Sequence, residues 1–282
     1  MNHSKGELGG PLSFLISESK VIKMQIEVKK KDIIEALKNV ELKGKWASTG
    51  GLSSKSLGKY IQFQLQDNRL IMFNADESTV CGKSISVDCE TEEYSFILEL
   101  DTLKKYLDKM SDSITLDVGT TVVMQSGGKR ATMPMVVRHP FEGRIERLIN
   151  QWPLSYNENL EELLSLGEIK VECGIQVTGA ELQESLDACE IVNNGIYKLD
   201  FKETDDLTDA KFVISSEEIA SSYREEMTFS NNIGESATVV FSGPLHKFFN
   251  KDDKINIFIG DNQPIIMVTE NSAIIRAPRL GV

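Results

Sequence analysis

The sequence is poor in the residues that bind metals. Its four cysteines form no CxxC pair, and none of them is spaced with a histidine as metal ligands are. These residues are Cys81, Cys89, Cys173 and Cys189, together with His3, His139 and His246. We therefore predict no metal site and no cofactor. The thiols are expected to be reduced and mostly buried, as in a cytosolic protein.

Long apolar runs are also lacking. No segment approaches the roughly 20 apolar residues of a membrane span, and "GPLSFLI" near the start is too short for the hydrophobic region of a signal peptide. The fractions of apolar (40%) and charged (26%) residues are those of an ordinary globular protein. We expect an unexported, cytoplasmic protein without a membrane partner.

Sequence motifs of common enzymes are missing. The chain contains no GxGxxG, no GxxxxGK[ST] and no GxSxG, and the glycines of "GLSSKSLGK" (51–59) fit a loop better than a phosphate site. The acidic runs 202–209 and 215–226 flank predicted strands, where solvated carboxylates are more common than metal ligands. We predict no catalytic residue, and an enzyme is the weaker hypothesis.

An excess of positive charge is absent as well, since the net charge is −12. Residues 168–282 carry ten basic against twenty acidic residues, whereas residues 1–167 carry 21 against 23. This balance excludes a wholly basic nucleic-acid binder. Any contact with nucleic acid must come from local basic patches.

What the sequence does contain is an internal repeat. "ILELDTLKKYLDKMSDSITLDVG" (97–119) matches "VVFSGPLHKFFNKDDKINIFIG" (239–260), so that Lys105 meets Lys247 and Lys109 meets Lys251. "KKKDIIEALKNVE" (29–41) likewise matches "TGAELQESLDACE" (178–190) in its amphipathic stripe. Each copy of roughly 110 residues is predicted to hold two short helices among many strands, which is an α+β fold.

A segment between the copies, 137–168, matches neither of them. It contains Pro140, Gly143 and Pro153, and it is apolar enough to pack against the rest of the protein. We expect "NLEELLSL" (159–166) to form a short helix. The predicted divisions are an extension or tag (1–23), a first domain (24–137), a connector (138–167) and a second domain (168–282).

Three stretches give the chain a family resemblance: "IEALKNVE" (34–41), "MFNADESTV" (72–80) and the ending "IGDNQPIIM…IIRAPRL". In this order, over residues 24–282, the sequence resembles the proliferating cell nuclear antigen (PCNA) family of DNA sliding clamps, above all its archaeal and viral members. The resemblance implies two clamp domains with helices packed on antiparallel sheet, and three chains that close head-to-tail into a ring. It implies a non-enzymatic processivity factor.

The resemblance also implies partners. They are duplex DNA bound without sequence specificity, a DNA polymerase, a clamp loader and other replication or repair proteins that carry a PCNA-interacting peptide. The protein would then act at a nucleoid or viral replication site, or in the nucleus of a eukaryote.

Lysines recur at matching positions on the predicted helices of both copies. They are Lys29, Lys30, Lys31 and Lys38 on the first helix, Lys104, Lys105 and Lys109 on the second, and Lys247, Lys251 and Lys254 in the second copy. A mobile lysine suits a sliding contact with phosphates, because it carries charge without reading bases. The helix 179–191 departs from the family, since it offers Glu181, Glu184, Asp187 and Glu190 where basic residues are common.

The resemblance places a partner-peptide pocket beneath the connector. Its walls would be Ala75, Thr79, Val80, Leu148, Ile149, Trp152, Pro153, Leu154, Pro264, Ile275, Ala277 and Pro278. Core packing is the competing explanation for such apolar residues. It is less suited to Pro278, which follows the last predicted strand.

Two alternatives to a self-sufficient clamp stay open. The first is a subunit of a heterotrimeric or checkpoint-type clamp, which the acidic helix would fit. The second is an unrelated two-repeat α+β enzyme or ligand-binding protein, which would need a concave polar pocket with perturbed titratable groups.

Overall fold

The structure is a computed structural model that describes residues 24–42, 58–89, 93–192, 195–202, 210–229, 232–243 and 245–279. The predicted extension 1–23 and most of the glycine-containing loop 51–59 lie outside the described residues. None of the described helices is long and apolar enough to cross a membrane.

The first copy of the repeat contains eight strands and two helices. They are β1 (Met24–Lys29), α1 (Lys30–Val40), β2 (Tyr60–Gln66), β3 (Arg69–Ala75), β4 (Thr79–Ser86), β5 (Tyr94–Glu99), α2 (Leu100–Lys109), β6 (Ser113–Val118), β7 (Thr121–Ser126) and β8 (Lys129–Pro134). Strands β1, β6, β7 and β8 form an antiparallel sheet in that order. The connector that follows carries α3 (Glu142–Ile149).

The second copy repeats this order. It comprises β9 (Cys173–Thr178), α4 (Gly179–Cys189), a 3-10 helix (Glu190–Val192), β10 (Ile196–Lys202), β11 (Ala210–Glu217), β12 (Ser222–Phe229), β13 (Asn232–Gly234), β14 (Ala237–Ser242), a second 3-10 helix (Leu245–Phe248), β15 (Lys254–Ile259), β16 (Ile265–Val268) and β17 (Ser272–Arg276). Strands β12, β11, β10 and β14 form a second four-stranded antiparallel sheet. The α+β prediction, with mostly antiparallel sheet, is confirmed.

A nine-stranded sheet joins the two copies. Its order is β13-β9-β15-β16-β17-β4-β3-β2-β5, and the two copies meet where β17 pairs antiparallel with β4. Ile275 lies opposite Val80 in this pairing, and buried Arg276 donates from Nη1 to Thr79 Oγ1 and from Nη2 to Ser242 Oγ. The last strand of the chain is therefore an interior strand of the sheet.

The helices pack side by side on one face of the sheets. In α1, Ile33, Ala36, Leu37 and Val40 follow the 3.6-residue period and are all buried. Helix α4 begins with a capping box between Thr178 and Glu181. Helix α1 contacts both α2 and the 3-10 helix Leu245–Phe248, which in turn contacts α4. We call this layer the helix face.

The second copy differs from its prediction in one element. Where a full second helix is predicted, the chain makes the single 3-10 turn Leu245–Phe248. The chain turns away at once, because Asn250 N donates to the Asp253 carboxylate and Lys251 O accepts from Ala180 N at the start of α4. Lys251 and Lys254 consequently lie outside any helix.

The connector also differs from its prediction. The prediction of a helix at 159–166 is wrong. The helix of the connector is α3, at Glu142–Ile149. Ile145 and Leu148 of α3 are buried against β3 and β4, where they share a cluster with Leu160, Leu164 and Leu166. We call the side of the nine-stranded sheet that the connector covers the connector face.

Candidate functional site

The helix face carries five exposed lysines that make no ion pair among the described residues: Lys31 and Lys38 on α1, Lys105 and Lys109 on α2, and Lys251 beside the 3-10 turn. Asn250 Nδ2 lies 3.1 Å from Glu35 Oε1 of α1, which brings the turn of the second copy against the first copy. These ammonium groups are therefore free to meet anionic ligands along one layer. Lys29 ends β1, whose Ile26 and Val28 face the helices, so the alternation of the strand puts Lys29 on the opposite side of the sheet.

Three further predicted lysines are engaged within the chain. Lys30 Nζ donates to Met110 O at 2.9 Å. Lys104 lies 2.8 Å from the Glu41 carboxylate, and Lys247 lies 3.2 Å from Glu190 Oε1. Both ion pairs are at least partly exposed, and such pairs contribute only about 0–1 kcal/mol, so an anion can compete for these lysines.

Lys254 also lies apart from most of the predicted lysines. It begins β15, in which Ile255 and Ile257 face the helices and Phe258 faces the connector. The alternation of a strand puts Lys254 on the connector face, where its ammonium lies 3.6 Å from Glu158 Oε1. The structure does not bring Lys254 together with the lysines of the helix face.

Helix α4 is the acidic part of the helix face. Glu181 is used in the capping box, whereas Glu184, Asp187 and Glu190 are exposed. Asp187 Oδ1 lies 3.0 Å from Nε2 of His246, a side chain only 2% exposed. Burial lowers the pKa of His246 and the Asp187 carboxylate opposes that shift, so the imidazole is neutral at pH 7.

The start of the connector is held by the other described histidine. His139 is buried, with Nε2 3.1 Å from Tyr60 O and Nδ1 accepting from Phe141 N. Burial lowers its pKa, and the two contacts require the neutral ring with the proton on Nε2. We assign His139 the role of an anchor between the connector and β2.

The predicted pocket residues divide into three groups. Ala75, Leu148 and Leu154 are buried beneath or within the connector and cannot meet a partner without movement. Thr79 points to the helix side, where it accepts from Arg276, so it lies on the wrong face for this pocket. The remaining residues are half-buried (Val80, Ile149, Trp152, Pro264, Ile275 and Pro278) or exposed (Pro153 and Ala277).

The half-buried group surrounds the junction between the copies, and we call it the apolar patch. Val80 and Ile275 are cross-strand neighbours, and both pack against the apolar cluster under the connector. The Trp152 ring stands edge-on to Phe73, with centroids 5.3 Å apart, above the β-carbon position of Gly82. Any larger residue than glycine at 82 would collide with this ring.

A cleft lies on the other side of the connector. It has a volume of about 440 Å³ and runs between the β2–β3 hairpin, the segment 152–156 and Glu270. Trp152, Pro153 and Leu154 line it together with Arg69 and Tyr156. The connector thus separates two possible peptide-binding surfaces, and the sequence predicted only the first.

Two sets of residues were missed by the sequence analysis. The first is Asp187, Glu190 and His246, which are close in space although His246 is 56 or more positions from the two carboxylates in the chain. The second consists of Val137 and Ile219, whose side chains are 99% and 109% exposed. Single exposed apolar side chains are common on protein surfaces; these two stand out because the strands next to them, β8 and β12, are edges of their sheets among the described residues. The repeat carries a signal for this second set. It aligns β8 with β17 and β12 with β4, and Val137 and Ile219 lie just beyond β8 and just before β12.

No protein-family model and no curated protein matches the sequence. Among solved structures, the chain is similar to the DNA polymerase III beta subunit of Thermotoga maritima, with a TM-score of 0.65, 18% identity and coverage of 92% of this chain and 66% of that one. It is also similar to A. fulgidus PCNA bound to the C-terminal region of FEN-1, with a TM-score of 0.64, 14% identity and coverage of 92% and 99%. The Helicobacter pylori beta clamp bound to a DNA ligase peptide is similar as well, with a TM-score of 0.61, 12% identity and coverage of 92% of this chain and 67% of that one.

These similarities define the class: the chain has the fold of DNA sliding clamps. It spans about two thirds of the Thermotoga beta subunit and nearly all of A. fulgidus PCNA. In length the chain therefore matches PCNA more closely than it matches the beta subunit.

Proposed function

We propose that this protein is a non-enzymatic DNA sliding clamp in which three copies close into a ring around duplex DNA. Each repeat, 24–137 and 168–282, would be one clamp domain, with 138–167 as the connector. The observation that carries the proposal is the junction of β4 with β17. It pairs a strand of one copy of the repeat with a strand of the other, and the equivalents of these two strands are both edge strands within the described part of the chain.

These two equivalents are β8 and β12, each at one end of a four-stranded sheet. The turn before β17 (Thr269 N to Ser272 O) corresponds to the turn between Ser126 and Lys129 before β8. The turn before β4 (Asp76 N to Thr79 O) corresponds to the one before β12 (Glu218 N to Ser221 O). Because β17 pairs with β4 inside the chain, β8 can pair with β12 of a second copy in the same way. Unpaired edges are prone to such pairing.

The side chains at these edges fit this arrangement. Ser272 lies opposite Lys83 in the internal junction, and the equivalent positions are Lys129 and Glu225, which carry opposite charges. The same register puts the exposed Ile219 next to Met135, close to the exposed Val137. Pairing would therefore cover two apolar side chains that are otherwise in water.

Head-to-tail pairing of this kind either closes into a ring or continues as a filament. A closed ring pairs every β8 with a β12, whereas a filament leaves one of each unpaired at its ends, which favours the ring. Three copies are proposed because the chain covers 99% of A. fulgidus PCNA, and the resemblance to PCNA implies a trimer. A heteromeric ring stays the alternative, since the acidic α4 would sit more easily beside more basic subunits.

The helix face would line the hole of the ring and contact DNA. Its five free lysines supply charge that can neutralise phosphates without selecting a sequence. The engaged lysines Lys30, Lys104 and Lys247 would add to this contact. Lys254, on the connector face, is placed away from DNA.

A topological experiment tests the proposed function. The protein is threaded onto a linear duplex tethered at one end, the free end is blocked with a bulky group, and the DNA is washed at high salt. A closed ring stays on the blocked DNA and leaves when a restriction enzyme cuts between the two ends. A protein that washes off equally from blocked and open DNA is not a clamp.

Charge reversal on the helix face should weaken binding to DNA. In the Lys38→Glu, Lys105→Glu double variant we expect the affinity for duplex at low salt to fall at least tenfold. The salt dependence should also become shallower, because fewer counterions are released. Fluorescence anisotropy over a salt series measures both. Lys254→Glu makes, on the connector face, the same charge change as the single Lys38→Glu variant and should bind like the unaltered protein; a loss in Lys254→Glu equal to that in Lys38→Glu would contradict the assignment.

Partners would dock on the outside of the ring. The similar structures include one PCNA bound to the C-terminal region of FEN-1 and one beta clamp bound to a DNA ligase peptide. By analogy, we propose that the apolar patch binds short peptides of a polymerase, a loader and other replication or repair proteins. A ring held on DNA would keep them at high local concentration near their substrate.

A further inference from the structure

The strongest unexplained feature of the structure is a buried histidine on the helix face. His246 is 2% exposed, and neither of its ring nitrogens has a well-aligned hydrogen-bond partner among the described residues. The nearest group is Asp187 Oδ1, 3.0 Å from Nε2 but off the direction of a ring N–H. A buried imidazole normally satisfies its nitrogens, because an unsatisfied buried polar group costs about 1–3 kcal/mol.

Two carboxylates surround this nitrogen. Asp187 and Glu190 are three positions apart at the end of α4, which puts both on the same side of the helix. Their carboxylate oxygens and a His246 ring nitrogen all lie within 4.8 Å of one another. Both carboxylates are exposed, so their side chains can rotate to close around an ion, whereas the imidazole is held by its burial.

We propose that Asp187, Glu190 and His246 bind one divalent cation of the zinc class. Imidazole nitrogen with carboxylate oxygen is a ligand set of zinc, at about 2.0–2.2 Å from the metal. Adjacent ligand atoms of a tetrahedral zinc are then roughly 3.3 Å apart, close to the 3.0 Å between His246 and Asp187. Water would complete the shell.

Two groups compete with a cation for Glu190: the Lys247 ammonium, 3.2 Å from Oε1, and the buried Tyr197, whose hydroxyl hydrogen-bonds to the Glu190 carboxylate. The pair with Lys247 is the one that a cation would break. Both side chains are largely in solvent, and such a pair is worth only about 0–1 kcal/mol, which a metal bond readily exceeds. Binding of the cation would release Lys247 and place two positive charges at the acidic end of α4. That end lies on the face we propose for DNA, but the binding of metal does not depend on that proposal.

The experiment uses the full chain, purified with chelator and then dialysed, and titrated with Zn²⁺ by calorimetry and with Co²⁺ by absorption. We expect one Zn²⁺ per chain, lost in Asp187→Asn, and at least tenfold weaker binding in Glu190→Gln. Co²⁺ should give the intense visible bands of a tetrahedral site without a thiolate charge-transfer band. Glu184→Gln removes the same charge one turn earlier on α4 and should bind Zn²⁺ within twofold of the unaltered protein.

His246→Gln is a further variant, and its thermal melt shows whether it folds. Because Asp187 is exposed, Asp187→Asn still tests the site if the histidine variant does not fold. No binding, or equal binding in Asp187→Asn and the unaltered protein, would overturn the proposal and leave Asp187 and His246 as a simple contact pair. A cobalt spectrum with thiolate bands would overturn it too, since it would assign the metal to a cysteine.

Discussion

Ile219→Asp should convert the assembled ring into monomers. The side chain lies in the turn between β11 and β12 and is fully exposed in the single chain, so the change should leave the fold of the monomer intact. In the proposed ring it would contact Met135 of the neighbouring copy. A carboxylate buried there without a partner costs several kcal/mol, which corresponds to a hundredfold or greater loss of association. Light scattering should shift from about three times 31.5 kDa to a single chain.

Two controls make this result specific. Ile219→Leu keeps an apolar side chain at the same position and should remain assembled. The exchanged pair Lys129→Glu with Glu225→Lys tests the register: each single variant should weaken the ring by placing like charges opposite each other, and the double variant should recover most of the loss. A ring that survives Ile219→Asp, or single variants that the double variant does not rescue, would refute the pairing of β8 with β12.

Much of the fold followed from the repeat. Matching 97–119 with 239–260 predicted a strand, a short helix and a strand in both copies, and the alternation of Ile114, Leu116 and Val118 recurs at Ile255, Ile257 and Ile259. The repeat misled only where tertiary contacts override the local pattern. Leu245, Phe248 and Phe249 have helical spacing, yet the contact of Lys251 with α4 ends the helix after one turn. Helix propensity depends on local sequence and therefore does not include such a tertiary contact.

The connector shows a second limit. Ile145, Leu148 and Ile149 have the spacing of a helix, but so does the run 159–166, and only one of them forms a helix. The surface beneath the connector determines which run forms the helix. Helix α3 packs on β3 and β4, where Ile71, Phe73 and Ala75 of β3 face the connector. That surface is made by the pairing of β3 with β4, which lies far from 142–149 in the sequence and leaves no signal in its local spacing.

The candidate sites were predictable to different degrees. Lysine periodicity found the helix face, but it could not tell that Lys254 is on a strand that points the other way. Likewise, the family resemblance named Thr79 for the pocket, whereas the register of β4 and β17 turns it toward Arg276. The sequence does not single out His246, because its neighbours Asp187 and Glu190 belong to a distant helix. Residue spacing reveals sites within an element and misses those between elements.

Ile275→Asp should abolish the binding of partner peptides while the ring remains assembled. Ile275 is half-buried beside Val80 at the centre of the apolar patch, on the connector face and away from the edges β8 and β12. An aliphatic or aromatic anchor of a peptide that meets a carboxylate there loses its apolar contact. Changes at such central positions cost about 2 kcal/mol or more, roughly thirtyfold in affinity. Calorimetry with a peptide carrying one aliphatic and two aromatic anchors measures this loss of affinity. Pro278→Glu should also weaken the binding of the same peptide.

The connector offers a matched control, because it has a surface on each side. Tyr156→Ser alters the cleft of about 440 Å³ between the connector and the β2–β3 hairpin, and it leaves Val80 and Ile275 untouched. If peptides bind the apolar patch, Tyr156→Ser binds them normally and Ile275→Asp does not. The reverse pattern would move the partner site to the cleft. Trp152 lines the cleft and also packs over Phe73 and Gly82 at the junction, so its substitution should affect either surface and cannot discriminate between them.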